Sequence, residues 1–186
     1  MDGKRSRQHG VSLIEVLVTM VILAVGLLGV MALQARLQQS EVETYQRSQA
    51  LLLLDDMAAR MMTNRNAATS YVTGATSPLG SGMTCPATSG TQQQRDAAAW
   101  CAGLQGASET TGSTRAGGLI GGRGCIEALG SDQYLLTVAW QGLLPLTAPT
   151  ASVACGRNAF DGAAGTPCSG DRCRRVVTTL VRVAPL

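Results

Sequence analysis

The sequence predicts an α+β protein in which a long amino-terminal α-helix, membrane-spanning in its first half, packs on a small antiparallel β-sheet head. Three observations predict this fold. An apolar run of 23 residues comes first, strand-like segments come last, and six cysteines all follow the apolar run. Strands that follow a helix, instead of alternating with helices, are typical of α+β proteins. Polar stretches between the strands indicate a loop-rich head that is stapled by disulfide bonds.

The apolar run, residues 11–33, is long enough to cross a bilayer. As a helix it would measure about 34 Å, and a bilayer core is about 30 Å thick. Lys4, Arg5 and Arg7 precede the run, which places the amino terminus in the cytoplasm and the remainder outside. A cleaved secretory signal peptide, cut near Val30-Met31-Ala32, is the alternative, although its apolar region is usually about 7–15 residues long.

Glu15 is the only charged residue of the apolar run. Inserting a carboxylate into a membrane span costs on the order of 2–3 kcal/mol, so a residue kept there despite this cost is expected to have a function. No Lys or Arg in the run can be its partner. We therefore expect the partner to be a free α-amino group, created by cutting between Gly10 and Val11 where the basic leader ends.

The segment from Gly10 to Val16, GVSLIEV, resembles the class III signal of type IV pilins and type II secretion pseudopilins. The resemblance implies that a prepilin peptidase cuts between Gly10 and Val11 on the cytoplasmic face and then N-methylates Val11. It also implies that Glu15 pairs with the amino terminus of a neighbouring subunit during assembly. The first mature residue of this family is usually Phe, and here it is Val11.

Processing would also remove residues that several catalytic mechanisms require. Lys4 and His9 are the only lysine and histidine, and loss of residues 1–10 lowers the formal net charge from +3 to +1. The mature chain would therefore lack histidine acid–base catalysis, a Ser-His-Asp triad and a lysine Schiff base. We expect no catalytic residues and no cofactor, and the protein is predicted not to be an enzyme.

The helix is predicted to continue beyond the membrane to about Asn66. Large side chains recur there at three- and four-residue steps and form one stripe that would cover a sheet. The stripe consists of Val42, Tyr45, Gln49, Leu52, Leu53, Met57 and Met61. We interpret Met57, Met61 and Met62 as core residues and not as a binding feature.

A second resemblance follows the helix. Asn64-Arg65-Asn66-Ala67-Ala68, with Tyr71 after it, is similar to a stretch of PilV-type minor pilins. Trp140-Gln141-Gly142, the cysteine-containing loop after it and the Arg174-Arg175 strand also resemble the carboxyl-terminal half of that group. The plain alternative is that Asn64 and Asn66 are helix-terminating and turn residues, and both interpretations are compatible.

Residues 74–124 are predicted to be a long surface loop region, with one short helix candidate at Arg95–Leu104. Strands are predicted at Cys125–Ala128, Tyr134–Trp140 and Val176–Val183. Within the second of these, alternation places Tyr134, Leu136, Val138 and Trp140 on one face.

Six cysteines can form three disulfides in 15 ways. They lie at Cys85, Cys101, Cys125, Cys155, Cys168 and Cys173. Short sequence distances favour Cys85–Cys101 and Cys168–Cys173, which leaves Cys125 with Cys155. A metal site is not expected, because the sequence has no Cys-x-x-Cys pair and no histidine after the leader.

Arg172, Arg174 and Arg175 surround Cys173 and suggest a contact patch for DNA or another anion. The low net charge and the lack of interleaved aromatic residues favour a solvated strand start instead. No specific nucleic-acid partner is expected.

These observations predict four segments: a cleaved leader (1–10), a membrane and assembly half of the helix (11–35), an outer amphipathic half (36–73) and a periplasmic head (74–186). The resemblance implies a minor pilin that acts in type IV pilus assembly, initiation or modification, including adhesion and motility. Its expected partners are the prepilin peptidase, other major and minor pilins, the inner-membrane assembly platform and, before assembly, inner-membrane lipid. Its expected location is the bacterial inner membrane and then the pilus at the cell surface. The alternatives are a minor pseudopilin of type II secretion and a signal-anchored periplasmic binding protein.

Overall fold

The computed structural model describes residues 12–107, 109–111 and 114–184, so Gly10 and Val11 lie outside the described residues. The chain divides into two compact units between Glu41 and Val42. We call the second, residues 42–186, the globular unit. Helix α1 (Leu13–Thr63) contributes to both units.

In the first unit, α1 begins directly after Ser12. The Ser12 carbonyl accepts hydrogen bonds from the backbone N–H groups of Glu15 (3.0 Å) and Val16 (3.3 Å). Every described side chain up to Glu41 is exposed, and most of those before Gln34 are apolar. A helix that is apolar all round is typical of a membrane span. Among the described helices, α1 alone has the length and composition to cross a membrane.

In the globular unit, one face of α1 is buried in the core. Its buried residues are Gln46, Ala50, Leu54, Met57, Ala58 and Met61. The methionine interpretation is confirmed for Met57 and Met61, which are completely buried, and wrong for Met62, which is 52% exposed. The rest of the predicted stripe is partly wrong, since Val42, Tyr45 and Leu52 are exposed. Alanines take part in the buried face because small side chains allow close packing, and a pattern based on large side chains misses them.

Residues 74–124 contain more regular structure than the predicted loop. After a 3₁₀ helix (Arg65–Tyr71) come β1 (Leu79–Gly80), α2 (Gln92–Leu104) and a separate hairpin of β2 (Glu109–Thr111) and β3 (Thr114–Gly117). The loop prediction is therefore wrong for β1, β2, β3 and the first residues of α2, whereas the helix candidate at Arg95–Leu104 is confirmed. Short elements that are rich in Gly, Ser and Gln lack the large apolar side chains that make a periodic pattern visible.

Helix α2 includes the predicted helix candidate and starts a turn earlier. Thr91 and Gln94 form a capping box, in which each side chain accepts a hydrogen bond from the other residue's backbone N–H. Trp100 is completely buried, and its Nε1–H donates to the Leu53 carbonyl at 2.8 Å. This bond attaches α2 directly to α1.

The main sheet has four antiparallel strands in the order β1-β4-β5-β6. The long strands are β4 (Arg123–Gly130), β5 (Gln133–Gln141) and β6 (Arg174–Arg182). The predicted inner face of β5 is confirmed, because Tyr134, Leu136, Val138 and Trp140 are all at most 4% exposed. The predicted α+β fold is therefore confirmed, with one more strand in the sheet than expected.

Three disulfides join the cysteines of the globular unit. The pairs are Cys85–Cys101, Cys125–Cys155 and Cys168–Cys173, the set that sequence distance favoured. Cys125 and Cys155 also form a second, smaller apolar cluster with Ala139 and Phe160. The second disulfide thus attaches the loop after β5 to the sheet.

The disulfides are expected to differ in their effect on stability. Replacing both Cys125 and Cys155 by Ala should lower the free energy of unfolding by about 3.5 kcal/mol, because this bridge closes a loop of about 30 residues. The same change at Cys168 and Cys173 should cost only about 2 kcal/mol, since that loop is about five residues long. Denaturant unfolding of the full-length protein in detergent measures both values. Equal losses, or six free thiols in the exported protein, would contradict the prediction.

Candidate functional site

Glu15 lies in the first turn of α1, where the positive end of the helix dipole favours a carboxylate. Its side chain is exposed, and the neighbouring Leu13, Ile14 and Val16 are exposed apolar residues. Within the described part of the chain, no ion pair involves Glu15. The structure therefore presents a carboxylate on an apolar helix surface, where a cation of another molecule can reach it.

A polar cluster in the globular unit joins the end of α1 to α2. We call it the Asp96 cluster; it consists of Arg60, Asn64, Tyr71, Gln92 and Asp96. Tyr71 Oη donates to Asp96 Oδ2 at 2.6 Å, while Arg60 Nη1 (3.0 Å) and Gln92 Nε2 (2.9 Å) donate to Oδ1. Asn64 Nδ2 donates to Tyr71 Oη at 3.0 Å. Both carboxylate oxygens of Asp96 are thus bound although the residue is only 2% exposed.

The cluster holds its members in fixed protonation states. Burial raises the pKa of the Asp96 carboxyl, but the hydrogen bonds from Tyr71, Arg60 and Gln92 together bring that pKa below its ordinary value. Burial and the hydrogen bond to Asp96 raise the pKa of Tyr71 to about 12. At neutral pH, Asp96 is therefore charged and Tyr71 is protonated. This arrangement suits a structural connection and not acid–base catalysis, which needs a pKa near the working pH.

Sequence reasoning selected Asn64 and Tyr71 by resemblance but missed Asp96. The available signal was its position on α2, four residues before Trp100 and four after Gln92, where an acid falls on a face that carries a large aromatic residue. A buried acid at such a position requires hydrogen-bond partners.

Arg174 contradicts both interpretations of the basic segment. It is 1% exposed, so it is neither a solvated strand start nor available to an external anion. Its Nε donates to Asp171 Oδ2 at 2.7 Å, and its Nη1 donates to the carbonyls of Val153 (2.9 Å) and Cys155 (3.0 Å). These bonds fix the loop that carries Cys155.

The other two arginines of this segment differ from Arg174 and from each other. Arg175 Nη2 lies 3.2 Å from Glu43 Oε1 and 2.6 Å from the Leu144 carbonyl, so it connects β6 to α1. Arg172 alone is exposed. The three arginines are therefore not a common patch. Across the described residues, no group of three or more His, Cys, Asp or Glu side chains is placed to hold a metal.

Two family models together match most of the first 108 residues. Residues 5–31 match the family model described as the prokaryotic N-terminal methylation motif, and residues 32–108 match the model described as Type IV pilin Tt1218. The chain is a type IV pilin-like protein. No curated protein and no solved structure matches it.

The two matches meet within α1, between Met31 and Ala32. The methylation motif includes Glu15, and it implies processing by a prepilin peptidase. With the apolar helix, it also indicates membrane anchoring. The Tt1218 match contains every member of the Asp96 cluster, so this connection between α1 and α2 lies in the family-matched part of the pilin. Proteins of this family are structural subunits and not enzymes.

Replacing Tyr71 by Phe should destabilise the pilin by about 1.5–3 kcal/mol, because the shape is kept while a hydrogen bond to a buried charge is lost.

The low folded-state pKa of Asp96 stabilises the fold above pH 4, and this contribution is lost as the pH falls through the folded-state pKa. The raised pKa of Tyr71 stabilises the fold below pH 10 and is lost as the pH rises through about 12. Denaturant unfolding between pH 2 and pH 12 measures both effects.

Two Asp→Asn variants test whether Asp96 causes the loss of stability at low pH. Asp96→Asn should weaken the loss of stability in acid, whereas Asp55→Asn, on the exposed side of α1, should leave it unchanged. If Asp96→Asn lost stability at low pH as the wild type does, another group would be responsible for that loss.

Proposed function

We propose that this pilin is a PilV-type minor pilin that assembles into a type IV pilus or its initiation complex. The observation that supports this proposal most is that a methylation motif over residues 5–31 and a pilin model over residues 32–108 adjoin on one helix, whose first turn contains the exposed Glu15. The Asn64–Ala68 resemblance supports the PilV-type assignment. The proposal keeps the four segments expected from the sequence, 1–10, 11–35, 36–73 and 74–186.

Insertion and processing come first in this proposal. The basic leader stays in the cytoplasm, residues 11–35 span the inner membrane and the head lies in the periplasm. The prepilin peptidase hydrolyses the Gly10–Val11 peptide bond and methylates the new Val11 amine. Cleavage therefore produces a cation four residues before Glu15 and removes the leader, which would otherwise keep charged groups at the helix start.

Assembly follows from the exposed carboxylate of Glu15. When apolar helices bundle, water is excluded, and an unpaired charge then costs several kcal/mol. Two opposite charges 4 Å apart attract by about 4 kcal/mol at an effective dielectric constant of about 20. The Val11 amine of an incoming subunit and the Glu15 carboxylate of its neighbour satisfy each other only at one axial position. The pair thus sets register and penalises misaligned docking.

The globular unit would supply lateral contacts to other pilins and any adhesive function, while the inner-membrane platform drives assembly. Its sheet is fixed to α1 by the Glu43–Arg175 pair, and its helix α2 is fixed to α1 by the Trp100–Leu53 hydrogen bond. A rigid attachment of this kind lets a subunit be added as a unit. Detection of the protein in sheared pili would support the type IV pilus assignment. Detection only together with subunits of a type II secretion system would favour the pseudopilin alternative.

The processing step predicts a defined mature terminus. Mass spectrometry of the membrane-extracted protein should show a chain that begins at methylated Val11. Gly10→Leu should abolish cleavage, because a bulky residue before the cut does not fit the class III signal, and the precursor should remain in the membrane. Gly3→Leu, within the same leader, should be processed normally. An intact Met1 in the wild-type protein, or normal cleavage of Gly10→Leu, would refute the proposed site.

Glu15→Ala should insert, be processed and fold like the wild type, yet it should be depleted at least about tenfold from fibres, since one charge pair contributes more than 1.4 kcal/mol in a water-poor bundle. Shearing and fractionation of cells, followed by quantitative blotting of fibre and membrane fractions, measures the distribution.

Glu41→Ala is the matched control, because Glu41 is an exposed glutamate of the same helix. It should reach fibres at the wild-type level. Equal incorporation of Glu15→Ala and Glu41→Ala would show that Glu15 does not determine assembly.

A further inference from the structure

A cavity of about 350 Å³ in the globular unit has two arginines in its lining and no acidic residue. One wall is the segment after the 3₁₀ helix, with Ala75 and Pro78. The other wall is the loop after β5, with Ala154 and Arg157, and Arg123 of β4 lies between them. The volume falls in the range of small-molecule sites, which begins at about 300 Å³.

Both walls are attached to β4 close to Arg123. The Ile126 carbonyl of β4 accepts hydrogen bonds from the backbone N–H groups of Thr73 and Gly74, each at 3.0 Å. The Cys125–Cys155 disulfide attaches the opposite wall to the same strand. The cavity is therefore held open by the fold before any ligand arrives, and a preformed site binds with a smaller entropy cost.

The Arg123 side chain lines this cavity, and no acidic residue of the lining neutralises it. Its Nε is buried and has no hydrogen-bond partner among the described residues. No described ion pair involves this arginine, and its guanidinium lies 5.9 Å from the centre of the Phe160 ring. Buried donors are nearly always paired, and this Nε–H is enclosed by protein atoms, so a ligand in the cavity would meet the outer Nη edge of the guanidinium instead. The ring beneath it supports the cation and leaves the guanidinium edge for an anion.

Arg157 adds a second cation at the rim. Its Nη2 donates to the Ala151 carbonyl, which orients the side chain and uses only one of its five N–H donors. The acids of the neighbouring loop are engaged elsewhere. Asp161 Oδ1 accepts from the Asp171 backbone N–H at 2.6 Å, and Asp171 pairs with Arg174. The positive charge of the cavity thus lacks an internal counter-ion among its lining residues.

We propose that this cavity binds the carboxylate group of a small organic ligand, with Arg123 and Arg157 as the recognising residues. Planar guanidinium groups match a planar carboxylate through parallel N–H···O bonds. The small Ala, Gly, Thr and Pro side chains around the arginines leave room for a ligand of about monosaccharide size. An acidic sugar and an acidic amino-acid side chain are two sources of this same chemistry.

Isothermal titration of the full-length protein in a non-ionic detergent tests the proposal. Sodium glucuronate, sodium acetate and N-acetylaspartate should bind, and neutral glucose should not. Tighter binding of glucuronate than of N-acetylaspartate assigns the site to acidic sugars, the reverse order assigns it to acidic side chains, and either order supports a carboxylate site. Binding of glucose as tight as that of glucuronate, or no binding of any carboxylate, would overturn it.

Variants locate the site. Arg123→Gln and Arg157→Gln should each weaken glucuronate binding about tenfold or more, because each removes a charge-assisted hydrogen bond. Arg172→Gln, at an exposed arginine outside the cavity lining, should bind like the wild type. Circular dichroism checks the fold of each variant, and the exposed Arg157 keeps the test valid if Arg123→Gln unfolds. Wild-type affinity in Arg157→Gln would contradict the assignment.

Discussion

One continuous helix has to satisfy two different environments, and the rest of the structure follows from that constraint. Up to about Leu33, α1 is apolar on all sides, which suits lipid or a bundle of similar helices. Beyond Val42, only one face is buried, and that face includes Ala50 and Ala58 as well as Met57 and Met61. The first part cannot stabilise a monomeric fold, because its described side chains are all exposed. The stability of the globular unit therefore has to come from its own short core, its disulfides and its polar connections.

Those polar connections occur where elements meet. The Asp96 cluster joins the end of α1 to α2, Arg174 holds the Cys155 loop, and the Glu43–Arg175 pair joins β6 to α1. A buried charge is costly unless it is paired and hydrogen-bonded, and such pairs specify geometry more than they add stability. In a chain with a single Phe and two Trp, this specification matters, because few large side chains are available to fix the packing.

The sequence predicted what depends on long, regular patterns. The membrane helix, the alternating β5 face and the α+β class each rest on many residues that agree. A helix was predicted at Arg95–Leu104, but its core face could not be predicted in the same way, because Ala97, Ala98 and Trp100 become buried only through contact with the rest of the globular unit. The burial of Arg174 was unpredictable for a related reason. An arginine in a basic segment normally faces water, and only the carbonyls of a distant loop make its burial possible. Gly10 and Val11 lie outside the described residues, so the cleavage site still rests on the sequence and the methylation motif.

The distribution of charge separates the two kinds of contact that this protein can make. In the globular unit, the charged side chains of Asp96, Asp171 and Arg174 are buried and paired, so they hold the fold together and are not available to partners. Glu15 in the first unit, and Arg123 and Arg157 in the cavity lining, differ from them, because no described ion pair involves these three residues. A free carboxylate on an apolar helix suits a cation that arrives with a second subunit, whereas free guanidinium groups in a rigid cavity suit a small anion. Assembly and ligand recognition would therefore use groups of opposite charge in different units of the chain, so a ligand carboxylate would not compete with Glu15 for the amino terminus of a neighbour.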